Sequence, residues 1–267
     1  MTLNWQGLDI AILGPACVAG LIVLSTHVPL GKQVLSRGII FIDLAIAQIA
    51  GLGVILAQYL GINEHGVGVQ VAAAIAALAG AGLLAWTDRR WPEYQEPLIG
   101  TLFVLAATGG LLLLANNPQG GEHLKDLLVG QILWVSYAQL IPAAVLSAVL
   151  LGFMWLRRGR LAGLLFYGLF ALAITTSEQL VGVYLVFASL IVPALATAGM
   201  QGRAQWIAAY SIGALGYASG LVLSAVLDLP SGALIVWTLA GVALLAQLVP
   251  SIRAAHRARR VVARAHH

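Results

Sequence analysis

Charge is scarce in this chain. Only 9% of its 267 residues are Asp, Glu, Lys or Arg, against about 25% in soluble domains. A compact soluble fold must wet its outer shell, and this composition cannot supply one. Cysteine is nearly absent. The single Cys17 excludes a disulfide within the chain and a Cys-based zinc site. No P-loop is present, so the chain holds no nucleotide site of that type. Basic residues are missing from Met1–Gly7, which argues against a cleavable signal peptide. Strand-like alternation is missing too. The apolar runs are continuous, which disfavours a membrane β-barrel and a nucleic-acid module alike.

What is present is apolar sequence, 60% of the chain. A helical span needs about 20 such residues. Nine runs qualify: 8–25, 38–60, 67–86, 98–115, 137–156, 161–176, 180–199, 205–227 and 232–250. The expected fold is all-α, a polytopic bundle of about nine transmembrane helices. Residues 1–250 form the membrane domain and 251–267 a basic tail, read as an interfacial helix on the anionic inner leaflet. The apolar stretch Leu127–Tyr137 is too short to span; it is re-entrant or begins the fifth helix. With the N-terminus outside and the C-terminus inside, 13 of the 14 Lys and Arg residues fall on the inner side, and only Lys125 lies outside. That partition follows the positive-inside rule. The outer segments then carry Asp9, Glu64, His65, Glu122, His123, Asp126, Glu178 and Asp228, an entrance that favours cations.

Glycines inside the spans, among them Gly80, Gly82, Gly109, Gly110, Gly213, Gly216 and Gly220, mark close helix packing. Pro142 and Pro193 kink their helices. Asp43 is the sharpest residue, because a carboxylate within a span costs about 2.5–3.5 kcal/mol on insertion scales. It is either a pathway residue or a helix-start cap paired with Lys32 or Arg37. Gln48 lies five positions on, about 140° round an ideal helix. Glu178 is either a ligand at the pore mouth or part of an outer turn capped by Ser177. His123 and Asp126 are three apart and can share a helical face, with Glu122 beside them. None of the six histidines falls within a span drawn this way. That disfavours an intramembrane metalloenzyme or a Ser/His hydrolase.

Two stretches resemble the permease subunits of bacterial zinc/manganese ABC importers, the ABC-3 family. Asp43-Leu-Ala-Ile-Ala-Gln48-Ile-Ala-Gly-Leu-Gly53-Val54 matches the family's second-span Asp/His motif. Val181-Gly182-Val-Tyr-Leu185-Val186-Phe-Ala-Ser-Leu190-Ile191-Val-Pro193-Ala194-Leu-Ala196 matches its later Val-Gly motif. Weaker matches lie at Asp126–Ser136 and Asp228–Gly232. The resemblance implies a homodimeric channel in the bacterial cytoplasmic (inner) membrane, surrounded by lipid. It implies a cytoplasmic ATPase subunit and a periplasmic or extracellular metal-binding protein as partners, with no nucleic acid. A divalent metal ion is then the substrate, no covalently bound cofactor is needed, and the chain itself is not an enzyme. Asp43 takes the family's Asp position. Gln48 stands in the His region, displaced by one residue.

The family's long inner loop before the Val-Gly span shrinks here to Leu156–Gly163. Coupling to an ATPase is therefore expected on the segment Thr87–Glu96, with Trp91 and Glu93 as contacts. The competing reading is an accessory or secondary-carrier metal membrane protein that has lost ATPase coupling.

Overall fold

The computed structural model describes residues 9–62, 67–114, 130, 132–157 and 163–265, with side chains as far as 248. Among the described residues there are nine helices and no strand. They are α1 Ile10–Arg37, α2 Ile42–Tyr59, α3 Val67–Arg90, α4 Gln95–Leu114, α5 Tyr137–Leu156, α6 Gly163–Val181, α7 Val183–Ala196, α8 Gly202–Leu227 and α9 Ser231–Ala265. Eight are long and apolar enough to cross a membrane. Large apolar side chains such as Leu112, Val145 and Trp237 are exposed on the outside of the bundle, where a polytopic protein meets lipid.

Three expected boundaries change. The first helix does not stop at residue 25 but runs to Arg37, through Pro15 and Pro29. Both prolines are buried within the bundle, where neighbouring helices tolerate the lost hydrogen bonds. The break between the sixth and seventh runs does not fall at Thr175–Gln179. Those residues continue α6, and the chain turns at Gly182, whose φ of 81° suits glycine. Ser177 is thus a helix-interior residue and not an N-cap. The helix after the break, α7, has 14 residues, about 21 Å of rise, so 180–199 is not one full span. The last helix continues through the basic tail to Ala265.

One end of the bundle collects the basic residues. Lys32 donates to Gln205 Oε1 at 2.7 Å and sits over the Trp206 ring. Arg37 lies over Phe166 at 4.0 Å. The start of α4 is tied to the ends of α3 and α6 by Gln95. Its amide accepts from Thr87 Oγ1 at 2.9 Å, and donates to Leu84 O at 3.0 Å and to Tyr167 Oη at 3.2 Å. Arg37 closes α1 and Thr87 lies near the end of α3, whereas Gln95, Phe166, Tyr167 and Gln205 lie near the starts of α4, α6 and α8, so ends and starts of helices meet here.

Small residues set the spacing. A Cβ on Gly31 would strike the backbone carbonyl of Leu190 on α7, so only glycine lets α1 and α7 lie this close. Gly213, Gly216 and Gly220 likewise hold α8 against Leu24, Leu239 and Ile235, whereas Gly82 faces nothing within 4 Å. Pro142 and Pro193 both lie inside helices.

The described residues of Leu127–Tyr137 that precede Tyr137 do not belong to α5. Ile132–Trp134 forms a 3-10 turn with Ile132 buried, and α5 begins only at Tyr137. Gly130, at φ 66°, packs directly on the Val181–Gly182 peptide. The segment therefore covers the break between α6 and α7.

Candidate functional site: two buried carboxylates at broken helices

Asp43 is built into the first turn of α2. Upstream, Gly38 ends α1 in the left-handed conformation, and its N–H bonds to Leu35 O and Val34 O. This Gly-terminated end turns the chain so that α2 starts at Ile42. Asp43 then occupies the positive end of the α2 dipole, where a carboxylate is locally favoured. Its side chain is 1% exposed, and neither Oδ1 nor Oδ2 has a hydrogen-bond partner among the described residues. It is therefore not paired with Lys32 or Arg37, which lie against Gln205 with Trp206 and against Phe166. The expected pairing with Lys32 or Arg37 is thus absent, while Asp43 does stand at a helix start, in the first turn of α2.

Glu178 comes from the last turn of α6, just before the break at Gly182. It is buried, 7% exposed, so it is not an outer-loop residue. A carboxylate at the negative end of a helix is locally disfavoured. Its placement calls for a positive charge that α6 does not carry, since its last turn has no basic residue. Asp43 lies close enough for its charge to act on Glu178. One turn back on the same face, Thr175 Oγ1 is buried without a partner. The structure thus brings together Asp43 and Glu178, 135 positions apart in the chain. Phe41 and Phe187, stacked at 6.3 Å, join the start of α2 to α7 beside them.

Gln48 is half-buried on an unbroken stretch of α2. Without a distortion between them, it points about 140° away from Asp43. Glu122, His123 and Asp126 lie outside the described residues, as do Glu64 and His65. Asp9 and Asp228 are caps: Asp9 Oδ1 accepts from Ala11 N at 2.8 Å, and Asp228 closes α8 at φ 53°. Trp91 and Glu93 are exposed at the basic end, Glu93 within the turn Pro92–Tyr94 and Trp91 edge-on to Trp86 at 5.2 Å. Among the described residues no three His, Cys, Asp or Glu side chains converge as a ready metal cage. The pair offers hard oxygen donors, to which a cation would add water or backbone carbonyls to complete its shell.

Two polar residues escaped the sequence reading. His27 lies inside α1, fully buried, and corrects the expectation that no histidine falls within a span. Its Nδ1 donates to Val23 O at 2.9 Å, and its Nε2 has no partner among the described residues. The polar run Ser25-Thr26-His27 had looked like the end of the first span, whereas the hydroxyls of Ser25 and Thr26 are satisfied within α1 by Ile22 O and Val23 O. Glu96, counted only as the edge of a loop, accepts from Phe41 N at 3.3 Å and so braces the start of α2.

Several known proteins resemble this chain. An uncharacterized membrane protein of Synechocystis is 27% identical over 253 residues, covering 86% of this chain and 88% of that protein. A "Probable iron transport system membrane protein" of Haemophilus influenzae is 33% identical over 164 residues, covering 53% of this chain; the match spans 60% of the relative's length. The solved structure of PsaBC from Streptococcus pneumoniae in complex with Fab shares the fold at a TM-score of 0.70. It is 20% identical and covers 90% of this chain and 94% of that one. The model of the ABC 3 transport family matches residues 9–167 and 158–250, and with Asp43, Glu178 and the Gly182 break all inside those limits the chain belongs to that family.

Proposed function

We propose that this chain is the membrane-spanning permease of an ABC-type transporter for a divalent transition-metal ion, which passes between Asp43 and Glu178. One observation carries the reading. A carboxylate with both oxygens unpaired sits in the bundle interior beside a second buried carboxylate. Such a pair repels itself, by about 2 kcal/mol even at 8 Å with an effective dielectric constant of 20. A dication between them reverses the sign of that energy. The Haemophilus relative is named for iron, so zinc has no preference over iron from that side. Oxygen donors without imidazole suit manganese better than zinc. We therefore place Mn(II) or Fe(II) ahead of Zn(II) as substrate.

The energy comes from a separate ATPase subunit at the basic end, which the positive-inside rule assigns to the cytoplasm of a bacterial inner membrane. A metal-binding protein delivers the ion on the opposite face, and two copies of this chain form the channel. Only six residues separate α5 from α6 in the sequence, so the ATPase docks on Thr87–Glu96, where Trp91 and Glu93 are exposed to meet it. ATP-driven uptake of manganese into vesicles, carrying this chain with its cognate ATPase, tests the reading. Uptake is expected to be inhibited by ferrous iron more strongly than by zinc. Replacing Trp91 and Glu93 by Ala should leave ATP hydrolysis but reduce uptake about tenfold or more, the cost of losing an interface hot spot. Arg157→Gln should leave both unchanged. Manganese movement that needs no ATPase would favour a secondary carrier instead.

A further inference from the structure

The pathway needs a way out of the pair, and one residue stands at the right place. Asp43 is almost sealed from solvent. An ion held there must reach water at the basic end past Lys32, Arg37, Arg89 and Arg90, which repel it. The described acids in that neighbourhood are Asp88, Glu93 and Glu96. Glu93 points outward from its turn. Glu96 instead reaches back to the start of α2, where Oε1 accepts from Phe41 N. Oε2 is buried and has no hydrogen-bond partner among the described residues, while the residue as a whole remains partly exposed.

The bond from Phe41 N sets the Glu96 carboxylate against the chain two residues before Asp43, and Asp43 is within electrostatic reach of both Glu96 and Glu178. The three do not converge as a cage. Asp43 is buried with two unpaired oxygens, whereas Glu96 is partly exposed to water. Single carboxylates allow an ion to be handed on, because no station holds it by a full ligand set.

We propose that Glu96 is itself a cation-binding residue, the station through which a divalent ion passes between Asp43 and water at the basic end. The proposal rests on the reading that Asp43 handles such an ion. A purely structural Glu96 would need only an acceptor for the Phe41 N–H, which a glutamine oxygen supplies equally well.

Manganese(II) binding to the purified full-length protein in nanodiscs, followed by the electron paramagnetic resonance signal of the free ion, separates the two roles. Glu96→Gln is expected to weaken binding about tenfold or more, because a unit charge beside a dication is lost. Glu96→Asp should recover most of the affinity. Thermal unfolding checks each variant, and Glu96→Ser replaces Glu96→Gln if the latter does not fold. Wild-type affinity in Glu96→Gln overturns the proposal, as does a pattern in which Glu96→Ala alone binds weakly. Asp43→Asn reports on the underlying reading separately: it should abolish binding. If it binds as wild type does, or if the wild type binds no manganese, that reading fails and takes the role of Glu96 with it.

Discussion

Asp43→Asn should abolish manganese transport while leaving the protein inserted and folded. The change preserves shape and removes one formal charge. Asp43 makes no hydrogen bond that the substitution would break, so packing against the rest of the core is kept. Insertion should become easier, because an ionisable group in the bilayer is expensive. What is lost is half of the charge facing the ion. Removing one partner of a buried charged contact costs about 2–5 kcal/mol, so the expected fall in uptake is about thirtyfold or greater. Glu178→Gln should give a loss of the same order. The double variant should be little worse than either single one, since two residues that hold one ion act as a unit. Radiolabelled manganese uptake, normalised to protein in the membrane, measures all three. A normal rate in Asp43→Asn would leave the buried carboxylate without a function.

The second large effect is structural. Gly130→Ala should destabilise the bundle by about 3 kcal/mol or more, or prevent its assembly. Two costs add. The position has φ 66°, which costs an L-residue about 1–2 kcal/mol. The new methyl would also occupy the space of the Val181–Gly182 peptide. That neighbour is backbone at a helix break and cannot rotate away as a side chain can. Because the peptide follows Glu178 by a few residues, relief of the clash would displace the site as well. Gly152→Ala is the control, since nothing lies within 4 Å of a Cβ there and alanine is the better helix former by about 1 kcal/mol. Thermal unfolding in detergent should show a clear fall for Gly130→Ala and no fall for Gly152→Ala.

The two halves of the site were unequally legible in the sequence. Asp43 stands out because it interrupts Ile39–Ile46, an otherwise apolar run, and lipid makes any such interruption conspicuous. Glu178 does not. It lies in Thr175-Thr176-Ser177-Glu178-Gln179, and five polar residues in succession read as a loop. Inside a protein-lined bundle the same residues stay helical, because α6 is buried by its neighbours and not by lipid. Hydropathy responds to composition and cannot tell these two environments apart. The same blindness hid His27 and moved the end of α1 by twelve residues, from 25 to 37. Gly182 marked the true break, but only its φ of 81° distinguishes it from the many glycines that merely admit a neighbouring helix. The pairing of Asp43 with Glu178 had no local signal at all, since it depends on how α2 and α6 pack.

The most direct test is to locate the ion. Crystals of the protein soaked in manganese and measured at the manganese absorption edge should give an anomalous peak between the Asp43 and Glu178 carboxylates. The peak should vanish in Asp43→Asn. A peak confined to other residues, or one that persists between the two helices when Asp43 is neutralised, would contradict a pathway through this pair.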